Sequence, residues 1–121
     1  MNEMDVPFVD KDTQTAVKGM DDMWLIVGPV RIAQHLSNVW HASEQPKRLD
    51  ILSAHSPDHP LSKWAATDFK NYSWLLFYGM DMCDEYVSRF KISPSIRVML
   101  QKLEDAPEEM AETDWTEPPH D

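Results

Sequence analysis

Apolar residues recur at helical spacing along most of the chain, and prolines and glycines divide that pattern into segments. The clearest stripe contains Ile32, Leu36 and Trp40, which follow the 3.6-residue period of an α-helix. Pro29 suits the first turn of this helix, and Pro46 ends it. No alternation typical of a β-strand occurs anywhere in the chain. The pattern therefore predicts an all-α fold.

Two shorter helical segments are predicted before Pro29. Asp12 or Thr13 can cap a first helix that ends at Gly19. Asp21 can cap a second, short turn that ends at Gly28. Residues that precede these segments are mostly polar, and we expect them to form an extended arm.

The longest helical segment runs from residue 61 to residue 90, where Gly79 is the sole glycine and proline is absent. We expect one long helix, or two helices with a break between residues 67 and 71. The stretch from residue 74 to residue 83 is apolar nearly all round, which is typical of a helix buried between others. A partner chain would be one way to cover it, so we expect a homo-oligomer.

A last helix is predicted after the sequence KISPS, with Ser93 as its cap and Pro94 at its first position. The predicted fold is a compact bundle of four to five helices. The residues of the last helix that should point inward are Ile96, Met99, Leu100 and Leu103.

Charge is distributed unevenly along the chain, whose formal net charge is −10. Eight acids and no Lys or Arg follow residue 103, which leaves 13 acids and 11 bases in the body. Acidic, proline-containing sequence of this kind predicts disorder. The expected organisation is an arm at 1–11, a helical domain at 12–105 and a disordered acidic tail at 106–121. An almost neutral body lacks the basic surface of a duplex-DNA binder, so duplex DNA is not an expected partner.

Several function classes find no support in the motifs. The single cysteine, Cys83, lies in a predicted buried helix, where a core thiol is expected. Neither a membrane-spanning stretch nor a signal peptide occurs, so we expect a cytoplasmic protein with no membrane partner. A nucleotide-binding glycine motif and a nucleophile elbow are also absent.

The five histidines do not form a metal motif. His35 and His41 are six residues apart, which separates them by roughly 120° around a helix. His55 and His59 have a favourable spacing, but Pro57 lies between them. We therefore expect neither a metal nor a cofactor.

Aromatic residues are the most informative chemical feature, because four Trp and Tyr rings lie between residues 64 and 78. Trp and Tyr carry polar tips that need partners when buried. One interpretation is a helix–helix seam that satisfies these tips internally. The other is a site in which rings stack on a nucleobase while amides and imidazoles bind its edge. The candidate ligand-binding residues are His35, Asn38, His41, His59, Lys63, Trp64, Asn71, Tyr72, Trp74 and Arg89.

The second half of the chain resembles small phage proteins related to the pyrimidine-dimer DNA glycosylase family. The motifs are HPLSKW at 59–64, NYSWL at 71–75 and DEYVSRFK at 84–91, with a weaker match in QHLSNVWHASEQ at 34–45. The resemblance covers roughly residues 30–92. It implies a helical phage protein, acting in an infected bacterial host, with a site between two helices.

In that family the nucleophile is the amine of a small residue after the initiator methionine, assisted by a glutamate. This chain begins Met-Asn. The acidic residues of its predicted helices before residue 30 are all aspartates, so these helices have no glutamate for that role. The first hypothesis is therefore a protein that binds a nucleotide, such as a signal made by host defence, and sequesters it. The cations available for phosphate are Arg31, Lys47, Arg48, Lys63, Arg89 and Lys91.

Two alternatives remain open. A glycosylase-like or nucleotide-cleaving enzyme would use His35, His41 or His59 as an acid or base, since imidazole titrates near neutral pH. An acidic inhibitor of a basic protein would instead present the tail with Trp115. The sequence identifies neither a ligand nor a catalytic residue.

Overall fold

Five α-helices form the fold in a computed structural model that describes residues 4–119. They are Thr13–Lys18 (α1), Asp22–Ala42 (α2), Pro60–Thr67 (α3), Phe69–Phe90 (α4) and Ile96–Lys102 (α5). Residues 4–119 contain no β-strand. The prediction of an all-α bundle of four to five helices is therefore confirmed. Residues 1–3 of the predicted arm and 120–121 of the predicted tail lie outside the described residues.

The crossing of α2 and α4 forms the centre of the core, and two glycines let these helices approach closely. A Cβ atom at Gly28 would lie 2.6 Å from the sulfur of Met82. A Cβ atom at Gly79 would lie 3.1 Å from Cγ2 of Ile32. Because glycine has no side chain, the two helices can pack closely at both positions. This close packing explains why the apolar segments include the two glycines.

The predicted helix break at residues 28–29 is wrong, because α2 continues through Gly28 and Pro29 as one helix of 21 residues. Pro29 cannot donate a hydrogen bond to the preceding turn. The apolar stripe nevertheless continues from Leu25 through both residues to Ile32, and all four are buried. Burial of this continuous stripe against α4 offsets the missing hydrogen bond.

Asp68 interrupts the helical segment between α3 and α4, within the predicted range. Asp68 has extended backbone, and its carboxylate accepts from the amide of Lys70 at 2.8 Å, which caps α4. His59 caps α3 through Nδ1, which accepts from the amide of Leu61 at 3.0 Å. Polar residues thus determine where both helices begin.

The first and last helices also follow the sequence pattern. Asp12 caps α1 and Gly19 ends it, as predicted. The cap of α5 is Ser95 rather than the predicted Ser93, so this helix begins two residues later than expected. The inward residue Leu100 is fully buried. The error therefore concerns the helix boundary and not the face that packs inward.

The apolar centre of α4 is covered within one chain by the other helices. A partner chain is therefore not needed to cover this stretch. The homo-oligomer stays a prediction. Phe77 is the exception in this stretch, since 61% of its surface is exposed. No helix within residues 4–119 is long and apolar enough to cross a membrane. The buried residues of the stretch are Leu75, Leu76, Tyr78, Met82 and Cys83.

The segment after α5 has no helix within residues 106–119, and it is attached to α4 by hydrogen bonds. The disorder of the tail stays a prediction. The amide of Phe69 donates to the carbonyl of Ala111 at 2.7 Å. Asp68 accepts from the amide of Thr113 at 2.7 Å and from its hydroxyl at 2.5 Å. These bonds lower the pKa of the Asp68 carboxyl. Hydrogen bonds at the N-terminal end of α4 therefore attach the acidic segment, and its Ala106, Met110 and Trp115 also pack against the core.

Replacement of Gly79 by valine should destabilise the fold by about 1–3 kcal/mol, because the new side chain would overpack the contact with Ile32 and Leu100. Urea unfolding measures the change. Gly19→Val is the matched control, since no atom lies within 4 Å of its Cβ position. We expect the control to stay within about 0.5 kcal/mol of the parent. Equal losses in both variants would contradict the close approach of α2 and α4.

Candidate functional site

The structure distributes the ten predicted ligand-binding residues over several regions. One group surrounds a buried polar cluster, one belongs to an aromatic cluster, and one lies at or next to a cavity. Two residues stand apart from all three regions. The polar cluster includes His35, Asn38 and His59, and the aromatic cluster includes Trp64, Asn71 and Trp74. His41 and Tyr72 lie at or next to the cavity. Lys63 and Arg89 are the two residues that stand apart.

The polar cluster is built around His35, which is fully buried. Its Nε2 atom lies 2.6 Å from the carbonyl of Met4, so the ring proton is on Nε2 and donates to that oxygen. Nδ1 then accepts from the hydroxyl of Ser62 at 2.6 Å. The Ser62 oxygen in turn accepts from the side-chain amide of Asn38 at 3.0 Å. Burial lowers the pKa of His35 to about 4.

His59 extends this cluster toward the N-terminal arm. Because its Nδ1 caps α3, its proton lies on Nε2, which donates to Asp5 at 2.8 Å. The rings of His59 and His35 are 4.8 Å apart. Arg31 donates to the backbone carbonyl of Asp5 at 2.8 Å. The two imidazoles therefore attach the arm to α2 and α3, and both nitrogens of each ring are in use.

The aromatic cluster is centred on Trp74, which is surrounded by four other aromatic rings. Two of its neighbours, Trp64 and Tyr78, belong to α3 and α4, at centroid distances of 5.8 and 5.1 Å. The other two come from the chain ends: Phe8 and Trp115 each lie 5.9 Å away. The rings that were predicted to stack on a ligand are thus packed against residues of the arm and the tail.

The polar tips of this cluster bind the same terminal segments. The indole nitrogen of Trp64 donates to Thr116 at 2.9 Å. The indole of Trp74 donates to the carbonyl of Lys11 at 2.8 Å, and Asn71 accepts from the amide of Thr116 at 3.1 Å. The internally satisfied seam, one of the two interpretations of the aromatic pattern, describes this region.

Trp40 and Tyr72 form a separate pair beside α5. The indole nitrogen of Trp40 lies 3.0 Å from the Tyr72 hydroxyl and 3.1 Å from the carbonyl of Asp105. The Tyr72 hydroxyl donates to the carbonyl of Leu103 at 2.6 Å, and burial raises its pKa. These bonds fix the edge of the Trp40 ring at the C-terminal end of α2.

A cavity of about 540 Å³ opens beside Trp40, which we call the Trp40 cavity. The guanidinium of Arg48 lies 4.7 Å from the centroid of the Trp40 ring. Asp50 pairs with Arg48 at 2.7 Å, and this hydrogen bond raises the pKa of Arg48. The cavity combines an indole, an imidazole, an amide and two cations. Its lining residues are Trp40, His41, Gln45, Lys47, Arg48, Leu49, Ile51, Ser53 and Ala54.

Two lining side chains of the Trp40 cavity are oriented by hydrogen bonds. Nε2 of His41 donates to the carbonyl of Leu52 at 2.7 Å. The side-chain amide of Gln45 donates to Glu109 at 2.8 Å, and the same carboxylate accepts from the backbone amide of Glu44 at 2.8 Å. These two bonds lower the pKa of Glu109. The attached tail therefore supports one wall of the cavity.

Comparison with protein-family models, curated proteins and solved structures gives no match to this chain. The resemblance to the glycosylase family stays a prediction that rests on the motifs alone. Its motif residues His59, Trp64, Asn71 and Trp74 take part in the contacts that attach the chain ends.

Arg89 and Lys63 lie apart from the cavity. Arg89 pairs with Glu85 and Asp22, each at 2.9 Å, and donates to carbonyls at the end of α1. Lys63 is exposed, and its amine lies 3.9 Å from Asp58. Arg89 therefore joins α1 to α4, and Lys63 has only a weak surface pair.

Gln45 and Glu109 are among the residues at the cavity that the sequence did not mark as candidates. The former precedes a proline, and the latter lies in a segment predicted to be disordered, so no periodic pattern marks either one. Residues 4–119 contain no group of three or more metal-binding side chains. Cys83 is fully buried, and burial raises its pKa to about 11, as expected for a core thiol.

Acid should destabilise the fold through His35. Its folded-state pKa, about 4, lies below the ordinary value of 6.5, so protonation favours the unfolded chain. Stability that is complete above pH 6.5 is therefore lost as the pH falls toward 4. Urea unfolding at about pH 7 and about pH 4.5 should differ by about 2–3 kcal/mol. His35→Gln should be less stable at the higher pH and show a smaller difference, and an equal difference would place the pH dependence elsewhere.

Two of the three indole nitrogens of the aromatic cluster should differ in their contribution to stability. That of Trp64 has a partner in Thr116, whereas that of Trp115 is buried without one. Trp64→Phe should therefore destabilise the protein by about 1 kcal/mol more than Trp115→Phe, since both changes remove a similar apolar area. Thermal and urea unfolding measure the difference. A larger loss for Trp115→Phe would contradict this hydrogen-bond assignment.

Proposed function

We propose that this protein binds a phosphorylated nucleobase ligand in the Trp40 cavity. The observation that supports the proposal is the position of an indole ring and two basic side chains on one cavity of about 540 Å³. Cavities of about 300–1,000 Å³ hold small ligands in proteins. The proposal keeps the nucleotide that the sequence suggested and moves its site from Trp64 and Trp74 to Trp40.

Each lining group has a role in this proposal. The apolar side of the cavity, with Leu49 and Ile51 beside Trp40, would contact the flat face of a base. Lys47 is exposed and supplies a mobile positive charge for phosphate. Arg48 is held by Asp50 and by the carbonyl of Lys102, at 2.7 and 2.9 Å, so it provides a fixed charge at the rim.

The wider role is part of the same proposal and rests on the motif resemblance. A phage protein with this cavity would capture a nucleotide signal of host defence in the bacterial cytoplasm and keep it from its receptor. The chemistry of the cavity favours capture over cleavage, because its polar groups are those that stack on a base, bind its edge and neutralise phosphate.

A homo-oligomer also belongs to the proposal. An apolar strip on the outer side of α2 supports it, since Met23, Ile26 and Val30 are each about half exposed, at 54%, 54% and 47%. Apolar strips of this kind occur at subunit interfaces. Sedimentation of the parent and of an Ile26→Glu variant distinguishes an oligomer from a monomer.

Equilibrium dialysis against AMP, CMP, GMP and UMP tests the proposed function. The protein should deplete at least one nucleotide from solution, and heating should release it intact. Release of a cleaved product would favour the enzyme instead. Failure to deplete any of the four would overturn binding of mononucleotides at this cavity.

Lys47→Gln should weaken nucleotide capture by about fivefold to tenfold, because it removes the mobile charge beside Trp40. Lys63→Gln is the matched control, since Lys63 is equally a surface lysine but lies outside the cavity. The first change should also reduce the salt dependence of binding. Equal affinity in both variants would contradict the placement of phosphate at the Trp40 cavity.

A further inference from the structure

Glu109 determines which groups in the wall of the Trp40 cavity act as hydrogen-bond donors and which as acceptors. We call this arrangement of donors and acceptors the polarity of the cavity. Its carboxylate accepts from the backbone amide of Glu44 and from the side chain of Gln45, both at 2.8 Å. These bonds stabilise the ionised carboxylate, which has acceptors and no donor. Only a donor can therefore face it from the cavity wall.

The amide of Gln45 is consequently fixed in one orientation. Of its two ends, the NH₂ group must face Glu109, because its carbonyl oxygen and the carboxylate would repel each other. The carbonyl oxygen Oε1 is the acceptor that this orientation leaves for a ligand, beside the second N–H of the amide. No hydrogen bond described for Gln45 within residues 4–119 uses that oxygen.

His41 adds a second acceptor to the same lining. Its Nε2 atom donates to the carbonyl of Leu52 at 2.7 Å, which places the proton of the neutral ring on Nε2. The remaining nitrogen, Nδ1, then carries a lone pair. Gln45 and His41 thus offer acceptors to the edge of a base, while the donors of the lining are the cations Lys47 and Arg48 and the hydroxyl of Ser53.

From this polarity we infer that the cavity selects bases with an exocyclic amino group, such as adenine and cytosine, over hypoxanthine and uracil. The inference rests on the proposed function. An amino group would donate to Oε1 of Gln45, whereas a keto oxygen at the same place would leave two acceptors facing each other. Glu109 is the positioning residue, since it acts on the ligand only by orienting Gln45.

Binding of the matched pairs AMP and IMP, and CMP and UMP, measured by calorimetry, tests this selectivity. We expect the amino-bearing member of each pair to bind about tenfold more tightly. Equal affinities within both pairs would overturn the inference while leaving the proposed function intact. Absence of binding for all four nucleotides would overturn the proposed function itself.

Glu109→Gln tests the positioning role, because a neutral amide can both donate and accept and so leaves Gln45 able to turn over. The ratio between AMP and IMP should fall toward one, while affinity for ribose 5-phosphate stays unchanged. The exposed Glu108 provides the matched control, Glu108→Gln, which should keep the ratio. A ratio that persists in Glu109→Gln would overturn the role of Glu109.

Gln45→Met is the second variant, because it removes the amide and leaves the bond between Glu109 and the backbone of Glu44 in place. It should also abolish the preference for the amino group. Amide exchange of residues 105–119 shows whether the tail stays attached in each variant. A preference that survives Gln45→Met with the tail attached would overturn the assignment of Oε1 as the acceptor.

Discussion

The hydrogen-bond requirement of buried aromatic and imidazole tips is the constraint on which this structure depends. A buried donor without a partner costs about 1–3 kcal/mol, which favours an acceptor for each tip. Among the described residues, the buried indole nitrogen of Trp115 is an exception. The helices use their own carbonyl groups internally, and the acceptors come from the chain ends instead. His35 binds the carbonyl of Met4, Tyr78 that of Pro7 and Trp74 that of Lys11. Residues 4–11 therefore attach to the helices, although they have no regular secondary structure.

The same requirement attaches the C-terminal segment and leaves one aromatic residue on a cavity. Trp64 and Asn71 bind Thr116, and Asp68 binds Thr113. The arm and tail thereby fill the space around Trp74. Trp40 differs because its ring lines a cavity while its indole nitrogen is bonded beside α5. In the proposed function the ligand would therefore lie at Trp40, and Gln45 and Glu109 would determine which base edge is accepted.

Local sequence signals predicted helix ends well where a single polar residue decides them. Asp12 caps its helix as expected, and Asp68 divides the long segment. The prediction failed at Pro29, because proline geometry is a local cost and the burial of α2 against α4 is a larger, non-local gain. The disorder of the tail stays a prediction, because acidic composition reports on solvation and carries no signal for the bonds that Thr113 and Thr116 make with α4.

The sequence by itself determined the helical class, the inward faces and the presence of rings with polar tips, because these follow from spacing and residue type. Only the tertiary structure decided which rings are occupied by the chain itself. The partners of Trp64 and Trp74 lie 52 and 63 residues away along the chain, and no local pattern encodes such pairs. The orientation of Gln45 likewise depends on Glu109, 64 residues later, so the polarity of the cavity exists only in the folded chain.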